Sequence, residues 1–167
     1  MEQRKIYKVS PLTIGAFMLG GILFLLVNIA AVVEVLRDGL IMKALMVTGM
    51  MFVLPLPILG YSIYLWKSRK EGKGFYWDDE GVVVDLKGSK VYWDEIESIV
   101  FSENKTIALS KSTVIYPHYT HHEKIRIRRN KWMPTPAHSI DWFLIEKPKE
   151  YHENVMKVWE EKSKLIR

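Results

Sequence analysis

From Val9 to Val33 the chain runs for 25 consecutive residues without a charge, and from Ala44 to Trp66 for 23 more. Each run exceeds the roughly 20 apolar residues a helix needs to cross the hydrocarbon core of a bilayer. Backbone N–H and C=O groups have no water to bond there, so both runs are expected to be helices. A cleaved signal peptide has an apolar core of about 7–15 residues. The first run is longer than that, and a second follows it. The expectation is an uncleaved transmembrane hairpin over residues 1–70, with spans near 11–34 and 44–66, followed by a cytoplasmic domain over 71–167.

Charge sets the expected orientation. Arg4, Lys5 and Lys8 precede the first run against Glu2, and Lys67, Arg69, Lys70 and Lys73 follow the second against Glu71. The link between the runs balances Arg37 and Lys43 with Glu34 and Asp38. Positive flanks mark the cytoplasmic side, so both termini are expected inside a multi-pass cell-membrane protein. Tyr61, Tyr64 and Trp66 would form an interfacial aromatic belt at the inner end of the second span. Asn28 is expected to bond across to the other helix, and Ala16, Gly20 and Gly21 to allow close helix approach, within the hairpin or between copies. Pro55 and Pro57 should bend the second helix, and Met42, Met46 and Met50 share one face as adaptable packing. The uncharged runs contain no acid or base, which argues against a transporter or proton pump.

The remaining sequence reads as an α+β domain. Short β-branched and aromatic runs alternate with turn residues: GFYW, VVVDL, VYW, IESIVF, TIALS, STVIYP, EKIRIRRN and SIDWFLIE. Six or seven strands at this spacing suggest a barrel or sandwich. Pro148 can open a final helix, and Tyr151, Val155, Val158, Trp159 and Ile166 then share one apolar face. Within the strands, Tyr76-Trp77-Asp78-Asp79 returns as Tyr92-Trp93-Asp94-Glu95. The repeat is expected to mark similar ends of neighbouring strands, with at least one tryptophan in the core and the acids entering polar turns.

Two stretches carry a resemblance. Asp79-Glu80-Gly81-Val82-Val83-Val84 and Trp93-Asp94-Glu95-Ile96-Glu97-Ser98-Ile99 resemble bacterial pleckstrin-homology-like (PH-like) domains tethered by an N-terminal two-helix hairpin. The chain also looks like small uncharacterised two-span membrane proteins of Gram-positive bacteria. The resemblance implies a PH-like β-barrel of six or seven strands capped by the C-terminal helix. Phosphoinositide-binding members place bases around the first hairpin loop; here that loop is Asp78-Asp79-Glu80-Gly81, which would repel a phosphate.

Three features remain as candidate sites. Lys124, Arg126 and Arg128 fall on one face of an expected strand, with Arg129 and Lys131 following, as a contact for anionic lipid or a partner. The plainer alternative is an edge strand whose charges discourage aggregation. Nucleic acid is disfavoured, because residues 67–167 carry 19 bases against 16 acids. His118, His121 and His122 are weak candidates for a metal, since in a loop or strand His121 and His122 would point apart. No cysteine is present, so disulfides, thiolate metal sites and cysteine catalysis are excluded. No nucleophile–base set or phosphate loop is evident, and no enzyme activity or cofactor is expected. The reading is a membrane-anchored binding or regulatory module that recognises a protein partner. Its alternatives are an oligomeric structural or channel-like protein, or a membrane-resident immunity or stress protein.

Overall fold

The computed structural model describes residues 5–37, 49, 53–103 and 111–166, with side chains as far as Lys164. Met42, Met46, Met50, most of the second apolar run before Val53 and the strand expected at Thr106–Ser110 lie outside the described residues. The chain divides into two units, Pro11–Lys67 and Met1–Ser10 with Ser68–Arg167.

In the first unit, helix α1 (Pro11–Arg37) has 27 residues. At a rise of 1.5 Å per residue it extends about 40 Å, beyond the ~30 Å hydrocarbon thickness. It is long and apolar enough to cross a membrane. Only Thr13, Ile14, Gly21 and Asn28 of its residues are buried. Helix α2 (Pro55–Lys70) runs past it in the opposite direction. The Ser62 hydroxyl donates to the Ile14 carbonyl at 3.3 Å, and Phe17 meets Tyr61 edge-on at 5.6 Å. Gly21 rather than Gly20 provides the close approach: a Cβ there would stand 2.7 Å from Leu59 Cδ2, whereas one on Gly20 would meet open space. Asn28 donates to the Phe24 carbonyl of its own helix at 2.7 Å and, among the described residues, not across to another helix. Pro55 opens α2 after a turn at Val53–Leu54, and Pro57 lies in its first turn, where a missing N–H leaves no bond broken; most of the run before them, which a bend would involve, lies outside the described residues.

Among its described residues the second unit holds seven strands, and its first precedes α1. Strand β1 (Tyr7–Lys8) pairs antiparallel with β2 (Gly74–Trp77). Gly74 permits this pairing, because a Cβ on it would come 2.4 Å from the Tyr7 carbonyl. On the other side of the same segment, Ser10 N–H bonds Leu144 O at 2.9 Å and Glu146 N–H bonds Lys8 O at 2.9 Å. The side chains of Tyr7 and Val9 are buried. Tyr7 stacks on Trp77 and meets Tyr151 edge-on, and its hydroxyl lies within hydrogen-bond reach of Glu150 and Asn154.

β3 (Gly81–Val83) and β4 (Lys90–Tyr92) complete a four-stranded antiparallel sheet in the order β1-β2-β3-β4. An aspartate shapes each connecting turn. Asp78 Oδ1 accepts the N–H groups of Glu80 and Gly81, both at 3.1 Å, and Asp85 Oδ1 accepts those of Lys87 and Ser89. Such self-bonding is why aspartate favours turns. A second sheet has the order β5-β6-β7, from β5 (Ile96–Glu103), β6 (Lys111–Pro117) and β7 (His138–Asp141). The two sheets are antiparallel and do not form the closed barrel that was expected. A 3-10 turn at Trp93–Glu95 separates β4 from β5, so the ladder of the first sheet is not carried into the second.

The segment expected as the strand EKIRIRRN is instead helix α3 (His122–Arg128). Its end forms a Schellman motif: Lys131 N–H bonds Arg126 O, Asn130 N–H bonds Ile127 O, and Asn130 takes φ 50°. β7 stops at Asp141, earlier than the expected SIDWFLIE strand, and Ile145 then bridges back to Val9. Helix α4 (Pro148–Ile166) starts on the expected proline, buries Tyr151 and Val155, and packs on the 3-10 turn and β5.

Trp93 ties these parts together. Its ring is buried and its indole N–H donates to the Asp78 carbonyl at 2.8 Å, across the first hairpin turn. Trp93→Ala should destabilise the second unit by about 3–5 kcal/mol, the usual cost of emptying a tryptophan site. Denaturant titration of the full chain in detergent, followed by tryptophan fluorescence, measures it. A loss below about 1 kcal/mol would show that the ring is not part of the core.

Candidate functional site

Glu95 ends the 3-10 turn that follows β4, and its side chain has 0% exposure. A carboxylate in that position must be neutralised or fully bonded. Glu95 is fully bonded. Its oxygens accept the Tyr92 N–H at 3.1 Å and the Arg128 guanidinium at 2.8 and 2.6 Å, and Lys124 Nζ stands 3.9 Å away. Burial pushes the carboxyl pKa up, but Arg128 and the Tyr92 N–H overcome that and hold it below the usual range. Arg128 also donates to the Lys90 carbonyl at 2.9 Å and lies 4.3 Å from the Tyr92 ring centre. It reaches this position because α3 is a helix, which turns Arg128 and the buried Ile125 to the same side at i, i+3 spacing.

Arg129 makes the second clamp. Its guanidinium bonds Asp85 Oδ2 at 2.8 Å and donates to Nδ1 of the buried His138. Accepting at Nδ1 means that neutral His138 carries its proton on Nε2. Burial, followed by the adjacent Arg129 charge, pushes the His138 pKa down to about 4. The Asp85 carboxyl is raised by burial but held below its usual range by hydrogen bonds from Ser89 and Arg129. Lys90 closes the network on Asp78 and Glu80, at 2.8 and 2.7 Å.

Gly88, Ser89, Lys90, Tyr92, Arg128 and Arg129 line a cleft of about 330 Å³. Its three cations each face acids already in place, so an anion entering it would compete with Asp78, Glu80, Asp85 and Glu95. The arrangement joins α3 to the two hairpin turns, and it does not prepare an empty phosphate seat.

The five basic candidates therefore separate. Arg128 and Arg129 point inward, and Arg126 chelates Glu123 while donating to the carbonyls of Lys131 and Trp132. Lys124 and Lys131 face solvent. The expected alternation of a basic and an isoleucine strand face is corrected, because Ile125 is buried and Ile127 is exposed on a helix. The three histidines lie in the 3-10 turn Tyr119–His121 and at the start of α3. His118 bonds Thr120 Oγ1 at 2.7 Å, and His122 Nε2 bonds the Pro117 carbonyl at 3.1 Å. Among the described residues no group of three histidines or carboxylates converges to hold a metal ion.

Sequence reasoning missed Glu95, Asp85 and His138. Glu95 stands beside the exposed Asp94 in an acidic pair and reads as a turn residue. The Asn130-Lys131 that follows Arg128-Arg129 was the available signal for a helix end. Compared with family models, curated proteins and solved structures, the chain matches none.

Arg128→Ala removes the bidentate partner of the buried Glu95 and should cost about 3–5 kcal/mol, measured by denaturant titration in detergent. His138 contributes a pH dependence. Its folded pKa lies below its unfolded value near 6.5, so its contribution is complete above about pH 6.5 and is lost as pH falls toward 4. Melting temperature should fall through that window, and His138→Asn should flatten that part of the profile; an unchanged slope would show that the imidazole does not titrate on unfolding.

Proposed function

We propose that the chain is a membrane-anchored PH-like module, related to the tethered bacterial domains it resembles. It presents its α+β unit at the cytoplasmic face of the cell membrane and takes an extended segment of a protein partner. One observation carries this reading: β5 is an eight-residue strand that, among the described residues, bonds only β6. An edge strand exposes a row of backbone donors and acceptors that a peptide can continue. From Val100 onward its side chains are exposed, with Val100 at 45% and Phe101 at 38%. Ile99, Val100 and Phe101 form an apolar centre on this strand without the lysines and prolines that usually block such pairing, between the acids Glu97 and Glu103. The module is multi-pass, with both termini cytoplasmic, and acts by binding, not catalysis.

A second reading has its own support. Ala16 and Gly20 lie exposed one turn apart on α1, with open space over Gly20. Small residues at this spacing let membrane helices associate, which favours a homo-oligomer of structural or channel-like character.

A photo-crosslinking residue at Val100 of the full chain, expressed in membranes, should capture one discrete protein. Val100→Lys should remove that product at an unchanged melting temperature. Recovery of no reproducible partner from membranes holding the folded chain would overturn the partner reading. Mass measurement in detergent tests the second, which a strict monomer eliminates.

A further inference from the structure

From Lys124 to Ile140 the chain carries five bases and no acid. Arg128 and Arg129 are engaged internally by Glu95 and Asp85, and Arg126 by Glu123. What remains for solvent is Lys131 and the exposed stem of Lys124, whose ammonium stands 3.9 Å from Glu95, together with three large apolar side chains: Ile127 at 66% exposure, Trp132 at 94% and Met133 at 73%. A tryptophan that bare has no protein wall to pack against. Its backbone is nevertheless held. The Schellman motif closes α3 over Asn130 and Lys131, and the Arg126 guanidinium donates to Lys131 O at 3.3 Å and Trp132 O at 3.4 Å. Pro134 and Pro136 limit the backbone beyond.

We propose that this tip is a second membrane contact, in which Trp132 and Met133 enter the interfacial region of an anionic bilayer and Lys131 and Lys124 engage its headgroups. The occupant follows from the chemistry. Tryptophan concentrates at the headgroup level, where its ring is apolar and its N–H meets water. Lysine lays its stem along apolar surface and keeps its ammonium wet. Basic residues close to a membrane are drawn to anionic lipid. A helix of the same chain able to cross the membrane keeps such a surface at high effective concentration. The contact rests on the membrane anchoring proposed above and is independent of any partner on β5.

The absence of cysteine makes the test direct. A nitroxide on Met133→Cys of the full chain, reconstituted in lipid nanodiscs, reports oxygen and water-soluble nickel collision rates. Entry of the chain into the discs reads the anchoring; the label reads the tip. In discs containing phosphatidylglycerol the label should show a several-fold loss of nickel collisions and a gain of oxygen collisions, and in pure phosphatidylcholine it should remain in water. Lys131→Glu should return it to water in the anionic discs, at an unchanged melting temperature. Equal water exposure in both lipids overturns the proposal, and equal burial in both overturns its anionic selectivity. Shielding in native vesicles but not in anionic discs means that a protein covers the tip, which also overturns it.

Discussion

The Glu95 carboxylate has no exposed surface, and the second unit is arranged so that it can remain charged there. Taking a carboxylate out of water costs several kcal/mol even after relaxation, and a bidentate guanidinium with a backbone N–H is the kind of company that offsets it. Both partners come from different parts of the chain. The Tyr92 N–H ends the first sheet, and Arg128 arrives from α3 after the whole of β5 and β6. Satisfying one buried charge thus links the first sheet, the 3-10 turn and a short helix. A seven-residue helix would have little stability alone in water, and Ile125 with the two arginine clamps supplies its tertiary support.

A second constraint comes from the chain before α1. Tyr7 and Val9 are among the most buried residues of the second unit, and the short strand around them pairs with β2 on one side and the segment 144–146 on the other. The stretch that reads as a basic flank of a membrane span is therefore also part of the α+β core. Arg69 adds to this, bonding Glu146 at 2.9 Å. Residues on both sides of the first unit are thereby joined to the same region around Glu146 in the second.

Much of this was legible. The uncharged run led to α1, the aspartate-led turns to the β2–β3–β4 hairpins, and Pro148 with the Tyr151–Val155 spacing to α4. The repeated YW pair lies at the ends of β2 and β4, which are not neighbours as expected because β3 runs between them, and Trp93 is the buried member. The failures share a cause. KIRIRR alternates perfectly at period two, yet its helix is set by Glu95 and Asp85, distant partners that periodicity cannot register. β1 is two residues long and offers no pattern at all. Asn28 was given a partner on the other helix, whereas its amide bonds the Phe24 carbonyl of its own helix.

The sequence by itself determined much of the local geometry: an apolar helix beyond membrane thickness, turns where aspartate and glycine permit them, and an amphipathic helix at the end. These follow from interactions within a few residues. Tertiary structure alone decided whether the strands closed, which charges were buried and which remained free. The answer was two open sheets, Arg128 and Arg129 turned inward, and Lys124, Lys131 and Trp132 left outside. The physical reason is that a buried charge is settled by whichever opposite charge reaches it in space, and the residues that reach Glu95 and Asp85 lie 33 and 44 positions away along the chain.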